Sequence, residues 1–255
     1  MARAAASKVE LLAITDHDTV AGYEAAAAYH TENPSGMRLI PGIELSCQWS
    51  GVTIHILGLG VDCEHPVMRA GLVRMAAARK ERGAKIASRL ESRGFDGALQ
   101  GALMQAGDSQ LGRPHFAAWM VEQGHVRDPN QAFDRYLGQG KIGDVKAFWP
   151  ELAEVTQWIE SSNGVAVIAH PLKYRFTGTK LRRFIGAFVA AGGRGMEVLS
   201  GRQTSDQTKH LVRLAQDFDL EVSVGSDFHR DAPYSAPLGV ESAPFGDLRG
   251  VWQRW

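Results

Sequence analysis

The chain lacks what several protein classes depend on. It holds only two cysteines, Cys47 and Cys63, in 255 residues, which form neither a metal-type pair nor a disulfide framework. No apolar run approaches the ~20 residues of a membrane-spanning helix. The opening residues MARAAASKVE offer no signal-peptide core, because Arg3 and Lys8 interrupt the alanines. Net charge is missing as well: 28 Lys+Arg balance 28 Asp+Glu, so no global basicity points to nucleic acid or a membrane surface. There is no Gly-x-Ser-x-Gly elbow, no phosphate loop ending in Gly-Lys-Ser/Thr and no dinucleotide fingerprint. These absences set the expectation of a soluble, cytoplasmic protein with no membrane partner, whose chemistry uses other groups.

What the chain does have is a hydrophobic content of 44% and short β-branched apolar runs at 9–15, 39–46, 52–61, 165–169, 195–199 and 220–224. Helical periodicity at 21–29, 152–160, 181–191 and 205–218 separates some of them, and the alternation predicts an α/β fold with a mostly parallel sheet or barrel. The middle differs. Residues 64–150 show helical patterns at 68–93, 116–122 and 130–137 and no strand, so they read as a helical insertion. The expected organisation is an α/β part at 1–63, the insertion at 64–150 and a second α/β part at 151–255.

Polar groups fall at or beside the strand ends. They are Asp16 and His17, Glu44, His55, His170, and Asp227 with His229. In parallel α/β folds the carboxyl ends of strands converge on one mouth. Four histidines with two to three carboxylates form a donor set for borderline or hard divalent metals such as Zn, Mn or Fe. Two or three metals can share the set if Glu44 or Asp227 bridges, and a bridged pair clamps both the attacking and leaving oxygens of a phosphate ester. Each residue also has a plainer reading. A strand-end histidine is often a satisfied polar group, and Glu44 can cap a helix or pair with a cation. His55, inside the apolar run Ile54-His55-Ile56-Leu57, needs a ligand or a hydrogen bond to offset its burial.

The segments TDHDTVAG (15–22), LIPGIELS (39–46), IHILGLG (54–60), VAVIAHP (165–171) and GSDFH (225–229) resemble, in order and spacing, the PHP (polymerase and histidinol phosphatase) phosphoesterases. The insertion segments LGRPHFAAWMVEQGHV (111–126) and AFDRYLGQGK (132–141) are similar to one subgroup, the 3′,5′-nucleoside bisphosphate phosphatases and bacterial 5′-to-3′ exoribonucleases. The resemblance implies a distorted (β/α)7 barrel with a trinuclear metal site. It carries metal-ligand roles onto His17, Glu44, His55, His170, Asp227 and His229, with Glu44 as the bridge and manganese as the expected metal. Asp16 would orient the histidines around it, and a metal-bound hydroxide would be the nucleophile. Such proteins usually open with a strand carrying a His-x-His pair, followed by an Asp. No such segment precedes His17 here, so the barrel is expected to lack its first strand, with residues 2–8 as the tail of the helix after it.

On the substrate side, Arg113-Pro114-His115 opens a helical run. Backbone N–H groups at such a start attract anions, Arg113 adds a bidentate phosphate donor, and His115 can donate a hydrogen bond or a proton. The alternative is an ordinary helix start. Ser200 and Arg202, after the strand ending at Leu199, are a further candidate phosphate contact, and Glu197 reads as another ligand or a structural acid. Eight Lys/Arg against two Glu between Arg69 and Arg93 either track an RNA backbone or form a solvated face. Tyr174 and Phe176 either stack a base or pack a loop. Three functions stay open at this point. They are hydrolysis of pAp-like bisphosphates or of RNA from its 5′ end, a different small-molecule phosphatase such as a histidinol phosphatase, and a degenerate, non-catalytic RNA- or metal-binding protein.

Overall fold

Proline 41 divides what reads as one apolar run into two strands, because it has no N–H to give a ladder. In the computed structural model, which describes residues 1–145, 149–229, 236–241 and 245–255, the chain opens with the short helix α1 (Ala2–Ala6), then β1 (Leu11–Ala13) and α2 (Ala21–Glu32). Strands β2 (Arg38–Ile40), β3 (Gly42–Trp49) and β4 (Val52–Leu59) follow. Next come α3 (Pro66–Glu91), α4 (Ala98–Ala106), α5 (Arg113–Glu122), α6 (Pro129–Ala132) and a π-helical turn (Phe133–Leu137). The last third alternates: α7 (Leu152–Ser161), β5 (Val165–Ile168), α8 (Gly178–Ala190), β6 (Gly195–Ser200), α9 (Ser205–Asp217) and β7 (Glu221–Gly225). The architecture is mixed α/β. Among the described residues no helix is long and apolar enough to cross a membrane.

Two sheets carry the strands. β1 and β2 pair in parallel, and a five-stranded sheet runs β3-β4-β5-β6-β7. Its β5-β6 and β6-β7 pairs are parallel, as α8 and α9 crossovers require. The β3-β4 and β4-β5 pairs are antiparallel, so the sheet is mixed. The β3-β4 antiparallel pair follows from a two-residue turn, where Ser50 and Gly51 both take positive φ, 48° and 74°. Paired positive φ values are those of a type I′ turn, whose twist matches the flanking strands. Gly42 permits another close approach, since a Cβ there would lie 2.7 Å from the Ile14 carbonyl oxygen. The chain after β1 can therefore run tightly against the start of β3.

By compactness the chain divides into Met1–Gly71 with Pro150–Trp255, and Leu72–Trp149. In the first unit, β5 is buried along its whole length, and Val165, Val167 and Ala169 pack with Ile40, Leu57, Leu59 and Val251. Each fully buried aliphatic side chain of this kind contributes about 2 kcal/mol. The second unit has its own core, in which Ile86, Leu90, Phe116, Trp119, Met120 and Leu137 are buried together. Helix α4, in this unit, has no counterpart among the sequence-based helices.

Candidate metal centre

Backbone pairing places the first candidate ligands. The Glu44 N–H donates to the Asp16 carbonyl at 3.0 Å and the Asp18 N–H donates to the Glu44 carbonyl at 2.9 Å, which makes His17 and Glu44 a parallel β-bridge. On the other edge of β3, Ser46 lies opposite His55 in β4. Glu44, two residues from Ser46, shares that face, so Glu44 and His55 are diagonal neighbours. His170 follows β5, where the Ala169 N–H donates to the His55 carbonyl at 3.2 Å.

The side chains converge on the Glu44 carboxylate. His170 Nε2 is 2.8 Å and His55 Nδ1 2.9 Å from Oε1, and His17 Nδ1 is 3.9 Å from Oε2. His55 Nδ1 and His170 Nε2 are 3.4 Å apart. Burial alone would raise the Glu44 carboxyl, but hydrogen bonds from His170 and His55 outweigh it and hold the group well below the usual carboxylate range. Burial likewise opposes protonation of His170, and its bond to Glu44 reverses the sign and raises it.

These donors fit a divalent cation. One ligand atom each from His17, Glu44 and His55 lies within 4.8 Å of the others. Imidazole nitrogen with carboxylate oxygen is a set that borderline divalent metals take. The other His170 nitrogen, Nδ1, is buried with no hydrogen-bond partner among the described residues, so the ring's polar contacts are directed into the cluster.

The remaining candidate ligands follow β7. Asp227, at a positive φ of 49°, is ion-paired to Lys173. His229 Nδ1 is 2.9 Å from the Asp227 carbonyl, and its side chain is largely exposed. Phe228, between them, lies under the Arg3 guanidinium of α1. The Asp16 carboxyl is raised, first by burial, while the Gly22 N–H and the nearby His229 act to lower it. A Cβ at Gly22 would meet Asp16 Oδ2 at 1.8 Å, so the carboxylate sits over the first turn of α2.

The substrate-side candidates divide in the same way. Ser200 Oγ is buried with no hydrogen-bond partner among the described residues, and Arg202 is exposed just beyond it. In the second unit, Arg113 Nη1 donates to the Leu137 carbonyl at 3.0 Å and is 3.7 Å from Asp144. His115 Nδ1 accepts from the Gly112 N–H at 3.0 Å, capping α5. Burial, and then the Arg79 charge, lower the His115 pKa. Several cations of α3 serve structure: Arg82 donates to Val145 O, Arg89 to Ile142 O, and Arg79 lies over Trp149. Tyr174 is tied into the fold by its hydroxyl. Its hydroxyl accepts from the His55 N–H at 2.9 Å and donates to the Ala169 carbonyl at 2.9 Å. Phe176 packs among Trp49, Tyr174 and Phe184.

Asp18 is a residue that the sequence reading passed over. It is 1% exposed, and its two oxygens accept from Ser46 N at 2.6 Å and Ser46 Oγ at 2.9 Å. This clamp holds the His17 segment against β3. Its signal in the sequence is the second aspartate of Asp16-His17-Asp18, but its partner lies 28 residues away.

No family model matches the chain. Over 253 residues it is 45% identical to a 5′-3′ exoribonuclease of Haemophilus influenzae, spanning 99% of this chain and 91% of the relative. It is 39% identical to a 3′,5′-nucleoside bisphosphate phosphatase of Chromobacterium violaceum, over 98% of this chain and 88% of that protein. A solved structure from Bifidobacterium adolescentis, described as a metal-dependent phosphoesterase, superposes with a TM-score of 0.80 at 27% identity, over 92% of this chain and 83% of that one.

Proposed function

We propose that this chain, which belongs to the PHP-type phosphoesterases and is a phosphoric ester hydrolase, removes the 3′-phosphate of nucleoside 3′,5′-bisphosphates and trims RNA from its 5′ end. The observation that carries the reading is the convergence of His17, His55 and His170 on Glu44. Those four residues would hold a divalent metal, with manganese as the expected ion. When bound, such a metal activates water and offsets charge on the phosphoryl oxygens.

The protein's own groups supply position and polarity. Glu44, kept ionised by its histidine neighbours, brings a full negative charge to the centre of the cluster. The Ser200 hydroxyl, without a hydrogen-bond partner among the described residues, supports a phosphate contact, with Arg202 close by in the chain. Asp227 and His229 complete the proposed ligand set. Arg113, whose Nη1 is already fixed by Leu137 and Asp144, is proposed to present the rest of its guanidinium to a substrate phosphate. His115 is proposed to donate from Nε2, since Nδ1 is committed to Gly112.

The two activities are one chemistry if a 5′-phosphorylated end is gripped and the adjacent 3′ phosphoester is cut. The test is hydrolysis of pAp, of 5′-phosphorylated oligoribonucleotide and of a panel of phosphate monoesters including histidinol phosphate, each with added Mn²⁺. Phosphate release from pAp and stepwise mononucleotides from RNA are expected. Turnover of histidinol phosphate in preference to pAp, or tight RNA binding without release, would overturn the reading.

A further inference from the structure

We propose that Glu197 is a positioning residue for His170, acting through the His170 backbone and not as a metal ligand. This inference rests on the proposed metal-dependent reading. Glu197 stands on β6, beside β5, and is buried at 6% exposure. Its Oε2 accepts the His170 backbone N–H at 2.6 Å. His170 needs such a restraint, because it takes φ 28° and ψ 60°, a conformation that side-chain-bearing residues rarely adopt. It is also the last residue before the 3₁₀ turn Pro171–Tyr174, so nothing in β5 itself fixes it. A short hydrogen bond to the N–H at that point sets the direction in which the imidazole leaves the backbone.

The second oxygen has a fitted space of its own. A Cβ at Gly225 would lie 2.7 Å from Glu197 Oε1, so the carboxylate occupies the room that Gly225 leaves by having no side chain. Gly225 ends β7 and leads directly into Ser226-Asp227. One buried carboxylate is thus packed between the backbone that carries His170 and the backbone that leads to Asp227. Oε2 is spent on the His170 N–H and Oε1 is packed against Gly225, whereas the imidazoles converge on Glu44. Residues that hold ligands in this way typically change metal affinity by 10–100-fold when removed.

Three variants test this. Glu197→Gln keeps a carbonyl oxygen at the same reach and should keep the bond. Glu197→Asp keeps the charge but is one methylene short, and Glu197→Leu keeps the volume with no acceptor. In ¹⁵N-labelled protein the His170 amide proton should resonate far downfield in wild type and Glu197→Gln and move upfield in Glu197→Asp. Mn²⁺ affinity, measured by titration calorimetry without substrate, should follow the same order, with Glu197→Asp and Glu197→Leu weakened about 10–100-fold. If Glu197→Leu does not fold, the Asp and Gln variants carry the comparison. Wild-type affinity in Glu197→Asp overturns the inference. So does a loss in Glu197→Gln as large as in Glu197→Asp, which would mark Glu197 as a ligand or as a needed charge. If the wild-type chain itself takes up no Mn²⁺, the functional reading fails and the inference falls with it.

Discussion

The Glu44 carboxylate and the His170 imidazole, 126 positions apart in sequence, meet at 2.8 Å. Strand β3 and the end of β5, on opposite sides of β4, aim these groups at each other, and His55 on β4 itself completes the approach. Replacing Glu44 with alanine removes the common partner of all three histidines. We expect kcat/KM for pAp to fall more than about 100-fold, beyond the usual cost of losing a residue that merely orients a ligand. The far-ultraviolet circular dichroism should stay that of wild type. Full activity in this variant would disprove the site.

Metal removal should read out in stability as well as activity. A ligand at 100 times its Kd adds about 2.7 kcal/mol to a folded state. For a chain of this size that corresponds to roughly 5–10 °C in melting temperature. Dialysis against EDTA should lower the melting temperature, and Mn²⁺ should restore both melting temperature and turnover. A melting curve indifferent to both treatments would argue against a metal held by the cluster.

The Asp18–Ser46 clamp predicts a graded pair of substitutions. Asp18→Ala deletes two bonds to a charged acceptor and leaves Ser46 N–H and Oγ unsatisfied in the interior, at a cost of about 2–5 kcal/mol. Asn tolerates the left-handed backbone found here, where φ is 58°, and keeps one acceptor. Asp18→Asn should therefore lose less than half as much in a urea titration. Equal losses would show that charge, and not geometry, is what Ser46 requires.

At Gly22 the obstacle is steric. An added Cβ would fall on Asp16 Oδ2, so Gly22→Ala must displace the carboxylate from the start of α2. Overpacking of this kind costs about 1–3 kcal/mol, and a thermal melt will show it. The opposite sign is expected at the β3-β4 turn. Ser50→Asn creates the Asn-Gly pair that a type I′ turn favours, and the melting temperature should rise by a few degrees, not fall.

The strand ends were readable because apolar runs there stop abruptly at Asp16-His17, His170 and Asp227-Phe228-His229, and the helices α7, α8 and α9 because their apolar spacing is strong, whereas α2 was readable from its run of helix-forming alanines. What was not readable depends on partners distant in sequence. Pro41 hid the β2–β3 division inside a continuous apolar run. Helix α4 carries Gly101 and starts after Gly97, so its composition looks like a breaker. That glycine fits because Trp119 lies where its Cβ would be. Asp18 and Glu197 appear in sequence as ordinary acids, and only Ser46 and His170, 28 and 27 positions away, show what they hold. Lys173, beside Asp227, could not be foreseen at all, since its role depends on where a loop turns.

Strand β4 ends at Leu59, β5 begins at Val165, and those two residues face each other in the sheet. Residues 60–164 are thus the loop of an oversized hairpin. Chain closure grows only logarithmically with length, with each doubling costing about 0.6 kcal/mol. Within that loop, Leu72–Trp149 forms a compact unit of its own, whose length can change while β4 and β5 stay in register. A laboratory graft between relatives therefore has its natural cut points near Leu72 and Trp149, and the histidine–glutamate cluster keeps its own strands in the other unit.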